Sequence, residues 1–187
     1  MKSFSRRFAA QVTLSLAFLG CGSEGPTGHS NVDQSKSTLA LGHGEKKAMC
    51  NAFVDYFFSV VDTPEKWCRW QAQNKTTEPG GGLTDAEVQS TCASAEAACL
   101  AAKDQQYRLK KESMRSGCNG DNPLSATLMY AYSTCDTTVE LAESCGVEQV
   151  DILDDLRSVT CSQFTVSRRT AINSELNAPS CQQTGCR

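Results

Sequence analysis

Apolar residues along this chain recur at helical spacing, and alternating strand patterns are nearly absent. Met49, Phe53, Tyr56 with Phe57, and Val60 step by three or four, and Phe58 widens the aromatic face. They predict a helix from Glu45 to about Asp62. Asp62-Thr63-Pro64 reads as a stop and restart, because proline suits the first turn of a helix and breaks an interior. A short helix from Pro64 to about Asn74 then carries Trp67, Cys68 and Trp70, and Glu78 to Gly82 is a loop. Thr84 and Glu87 form a capping box that opens one long helix from Asp85 to roughly Met114, with Val88, Cys92, Ala95, Cys99 and Ala102 on one stripe. Leu124, Leu128, Ala131, Cys135, Thr138 and Ala142 predict the next helix, ended by Gly146. A last helix starts near Val147 with Val150, Leu153 and Leu156 on its face. The expectation is an all-α, disulfide-stapled bundle of about four main helices plus short pieces.

Before that body lies a different pattern. Lys2, Arg6 and Arg7 precede a mostly apolar run from Phe8 to Leu19, the layout of a secretory signal too short to span a bilayer as a helix. Its ending, Phe18-Leu19-Gly20-Cys21, resembles the bacterial lipobox. That resemblance implies cleavage before Cys21 and a diacylglycerol on its sulfur. With no Asp at position 22, it also implies an outer-membrane lipoprotein facing the periplasm or the cell surface. Phe18 departs from the usual Leu of the pattern. An ordinary secretory signal ending in Gly-Cys is the other reading, and Ser5-Arg6-Arg7-Phe8 also has the look of a twin-arginine signal. The chain therefore divides into a signal over 1–20, a lipidated Cys21 with a flexible tether over 21–44, and a cysteine-rich helical domain over 45–187. The tether is read from its Gly, Ser and Pro content, which buries too little apolar surface to offset chain entropy.

Cysteine count reinforces this division. Of eleven cysteines, Cys21 is assigned to the anchor. The even remainder, Cys50, Cys68, Cys92, Cys99, Cys118, Cys135, Cys145, Cys161, Cys181 and Cys186, reads as five disulfides in an exported chain. Metal binding needs close pairs or interleaved histidines, and neither occurs. Antiparallel helix neighbours pair Cys135 with Cys161, Cys68 with Cys92 and Cys50 with Cys99, although spacing alone cannot fix connectivity. The segment from Cys135-Asp136-Thr137-Thr138-Val139 to Cys161 is similar to cysteine-spaced helical pairs in secreted lipoproteins of myxobacteria, a resemblance that implies no established activity.

Charge and motifs then narrow the function classes. Net charge is -3 with both signs interspersed, which gives no electrostatic case for nucleic acid. The two histidines, His29 and His43, fall in the tether, so a Cys-His or Ser-His-Asp arrangement would need it to fold back. Asp151, Asp154 and Asp155 lack the loop pattern of a calcium site, and Asp154 and Glu143 read as surface charge. Lys110, Lys111 and Arg115 gather where positive charge complements a helix end. No cofactor is expected. The favoured function is a non-catalytic interaction or structural module whose partner is an envelope protein or polysaccharide. The alternative is a carrier whose apolar ligand lies among Phe53, Phe57, Trp67 and Trp70. An inhibitor of a hydrolase is a weaker third possibility.

Overall fold

The computed structural model describes residues 27–76, 83–126, 135–174 and 179–183. Seven α-helices occupy these residues: α1 His43–Val60, α2 Pro64–Lys75, α3 Asp85–Leu100, α4 Lys103–Gly117, α5 Val139–Arg157, α6 Val166–Ser174 and α7 Pro179–Gln183. Short 3-10 turns stand at Thr38–Ala40, Pro123–Ala126 and Cys161–Gln163. No strand occurs among the described residues, only a single antiparallel bridge between Ser37 and Thr138.

Local chemistry explains most helix ends. Glu45 accepts the Gly42 N–H at 2.9 Å and so satisfies one orphan donor at the head of α1. Thr63 caps α2, its hydroxyl accepting from Lys66 N–H at 3.2 Å, with Pro64 in the first turn. The expected capping box at α3 is present: Thr84 N–H donates to Glu87 at 2.7 Å, and Glu87 N–H donates to the Thr84 hydroxyl at 3.3 Å.

Two helix boundaries differ from expectation. The long helix after Thr84 breaks at Ala102, whose backbone angles of φ -134° and ψ 28° are not helical. No proline or glycine marks that point. Tertiary contacts on either side take over instead: Cys99 is tied to α2, while Tyr107 of α4 packs edge-on against Phe58 of α1 and donates to the Val61 carbonyl at 2.9 Å. Farther on, Gly146 does not end a helix but lies buried inside α5, which starts at its Thr138 cap. An interior glycine costs about 1 kcal/mol relative to alanine, less than the burial of Cys145, Val150 and Leu153 around it returns. The expected continuous helix over 124–145 is not formed: Pro123–Ala126 is a 3-10 turn, 135–138 are non-helical up to the Thr138 cap, and only 139–145 are helical, as the start of α5, while 127–134 lie outside the described residues.

α2 and α3 pair antiparallel. Cys68 meets Cys99, Arg69 meets Glu96 at 3.2 Å, and Glu65 meets Lys103 just past the end of α3. The core runs through Met49, Phe53 and Val54 of α1, Trp70 of α2, Val88 of α3, and Val139 and Val150 of α5, closed by Phe164 and Ile172. Four disulfides cross it: Cys50–Cys118, Cys68–Cys99, Cys92–Cys161 and Cys145–Cys181, with Cα separations of 4.7–5.5 Å. Cys135 is disulfide-bonded as well. Nine of the ten cysteines expected in disulfides are therefore oxidised, with Cys186 outside the described residues, but all three expected pairings are wrong. Each assumed a hairpin at Gly146 or a register across the glycine loop. With α5 continuous and α3 broken, Cys161 reaches Cys92, and Cys118 comes back to Cys50.

The largest departure concerns residues 27–44. Expected as part of a flexible tether, they lie on the body instead, with Thr38 fully buried and Val32 and Leu41 only 8% and 6% exposed. His43 and Gly44 already belong to α1. The reason is hydrogen bonding more than apolar area.

Candidate functional site

α5 begins with backbone N–H groups that have no partner within the helix. The N-terminal segment supplies two of the missing acceptors: Val139 N–H donates to the Lys36 carbonyl and Glu140 N–H to the Gln34 carbonyl, both at 3.0 Å. Thr138 supplies the third, its hydroxyl accepting from Leu141 N–H. Thr38 N–H returns a bond to the Thr137 carbonyl at 2.8 Å, and the buried Thr38 hydroxyl donates to the Cys135 carbonyl. Ser37 and Asp136 join side chain to side chain at 2.5 Å.

One turn into α5, Glu143 points its carboxylate into the same seam, with its side chain fully buried. Ser30 N–H donates to one oxygen at 3.0 Å and the Gln34 side-chain amide to the other at 3.1 Å. His29 Nδ1 stands 3.4 Å from that second oxygen, its ring partly open to solvent. Burying a carboxylate without such donors would be costly, so the segment and Glu143 require each other. Gly28 completes the dock at φ +78°, against Val147 and Tyr56. A Cβ there would lie 2.4 Å from Val147 Cγ2 and in left-handed backbone.

Beside the seam lies a shallow depression of about 310 Å³ lined by Ser35, Ser37, Asp136, Thr137, Thr138, Leu141 and Gln183. Hydroxyls, a carboxylate and an amide dominate it, so it suits hydrogen bonding to a polar surface rather than capture of an apolar molecule. A smaller cavity of about 70 Å³ opens between α2, α3 and α4 beside Gln71, Ala95 and Gln106.

The expected apolar lining is assembled elsewhere. Phe57 meets Phe53, Trp67 and Trp70 at ring separations of 5.8–6.5 Å, and all four rings are buried. Neither cavity above draws on them. Arg157 lies over Trp70 at 5.1 Å, donates to the Trp70 carbonyl at 2.9 Å and also meets Asn74. Burial pulls its guanidinium down to about 10, which still leaves it charged at neutral pH. Trp67 and Trp70 keep buried indole N–H groups without hydrogen-bond partners among the described residues.

The charged residues singled out by sequence fall in separate places. Lys111 lies over Phe58, Arg115 pairs with Asp55 at 2.6 Å, and Lys110 is exposed, which scatters the basic group. Asp154 is partly buried and pairs with Lys66 at 2.7 Å, while Asp151 accepts from the Tyr56 hydroxyl. No group of three or more metal-ligating side chains occurs among the described residues. His43 opens α1, away from the His29–Glu143 contact. Cys21 and Cys186 lie outside the described residues.

Glu143, read in the sequence as surface charge, is the correction of most consequence. A signal for it existed: Val139, Ala142, Glu143, Gly146 and Val150 share one buried stripe of α5, and a carboxylate on a core stripe demands partners. No known protein family matches the chain, and neither a curated protein nor a solved structure resembles it significantly.

Proposed function

We propose that the protein is a lipid-anchored envelope protein that acts as a non-catalytic interaction or structural module, exported through its N-terminal signal and held to the outer membrane by acylated Cys21. The observation that carries this reading is the disulfide framework. Nine cysteines of the described body are oxidised, and an exported chain is where such a framework forms and persists. The eleventh-cysteine arithmetic then leaves Cys21, directly after a short apolar run, for the lipid. A cross-linked body loses little conformational entropy when a partner binds, which suits recognition of an envelope protein or polysaccharide. The polar depression beside the Glu143 seam offers hydrogen-bonding groups for either.

The carrier reading keeps one observation in its favour, the two unpartnered indole N–H groups of Trp67 and Trp70, which an acceptor-bearing ligand would satisfy. Native mass spectrometry of the exported Cys21→Ala protein separates the two. A ligand-free body supports the module reading, and a retained small molecule replaces it with the carrier. Membrane fractionation of the unsubstituted chain beside Cys21→Ala tests the anchor. Loss of membrane association in the variant supports it, and equal partitioning of the two contradicts it.

A further inference from the structure

An anchor on Cys21 joined to a free tether through residue 44 would let the body roam several nanometres from its membrane. The described structure removes most of that freedom. Gly28 is wedged against Val147 and Tyr56, Ser30 and Gln34 hold Glu143, and Lys36 to Thr38 pair with the head of α5. Between Cys21 and Thr27 stand only five residues. Whatever their conformation, a trans chain of that length spans at most about 22 Å.

We propose that residues 27–42 are a fastened strap that holds the body close to the membrane carrying its lipid, with the α1–α5 face around Tyr56, Val147 and Asp151 turned to the phospholipid headgroups. The proposal rests on the anchoring reading above. Thr27, the point where the strap leaves the body, is exposed beside this face, so the attachment sets orientation as well as distance. The exposed residues there, Thr27, His29 and Asp151, are polar. The body therefore stands on the headgroups and does not insert among the acyl chains. Its reach is limited to partners lying near the same bilayer.

Neutron reflectometry on the lipidated full chain in a supported bilayer tests this, because the water gap between bilayer and protein layer is read directly. The strap predicts a gap below about 22 Å. Gly28→Val combined with Glu143→Gln frees residues 27–33 while the backbone pairing at 34–38 remains, and widens the gap by roughly 15 Å, the coil dimension of that length. Limited proteolysis of the soluble Cys21→Ala protein provides a second reading. The unsubstituted strap resists cleavage within 27–33, whereas the strap variants are cut there with the disulfide-linked body intact. A lipidated chain with a wide gap, or with the same gap in both forms, overturns the strap alone. A chain whose intact mass lacks the lipid overturns the anchoring reading and the strap's membrane role with it, while proteolysis still reports whether the segment is docked.

Discussion

Arg157 shows how a single residue organises its surroundings. Its guanidinium stacks on Trp70 and donates both to the Trp70 carbonyl and to the Asn74 side chain, so it ties α5 to α2. Arg157→Ala removes the stack and both hydrogen bonds from a largely buried site. A loss of roughly 2–4 kcal/mol in denaturant unfolding is expected, and a change under 0.5 kcal/mol would contradict this role. Exposed carboxylates act through pH instead. Backbone and side-chain hydrogen bonds from Thr84 hold Glu87 below its ordinary 4.5, and a hydrogen bond from Lys36 does the same for Glu45. The folded chain therefore binds these protons less readily than the unfolded chain. The stabilisation is complete above about pH 4.5 and is lost as pH falls through the depressed values. The melting temperature should drop between pH 6 and pH 3, and Glu87→Gln, which keeps a capping side chain but no titrating group, should flatten part of that drop. An unchanged acid limb in the variant would remove Glu87 from the account.

At the scale of elements, what was legible in the sequence was local. The apolar steps of α1, the Thr63-Pro64 restart and the Thr84–Glu87 box each act within a few residues, and each stands where the pattern put it. The break at Ala102 and the run of α5 through Gly146 were not legible, because contacts distant in sequence override propensity at both points. The disulfide pairs followed from those two boundaries and were missed with them. The docking of residues 27–42 was hidden for another reason. Its stabilisation comes from carbonyls offered to the first turn of α5 and donors offered to Glu143, which leave no apolar periodicity behind. Long-range pairing also predicts where cross-links matter. Cys92–Cys161 closes a sequence separation of 69 residues and joins α3 to the turn before α6. Replacing both by serine should lower stability by about 4 kcal/mol on the chain-entropy account, measured as a shift in the denaturant midpoint. A midpoint unmoved by the double replacement would show the link to be passive.

For the whole molecule, fold and anchor form one argument. The helices offer a core built around a few aromatics, with α3 rich in alanine and α4 burying little beyond Met114. Cross-links then hold elements that burial alone holds weakly. The same oxidation supports the proposal of an exported chain, in which the N-terminal run would supply both the export route and the leftover cysteine. The proposed strap would join these two halves, converting a point of attachment into an orientation. The most direct measurement is the intact mass of the protein recovered from membranes, recorded without reduction. The account predicts a chain beginning at Cys21, heavier than its sequence by a diacylglycerol-based lipid, with the ten remaining cysteines all oxidised. A chain carrying an unmodified Cys21, or free thiols within the body, would contradict it.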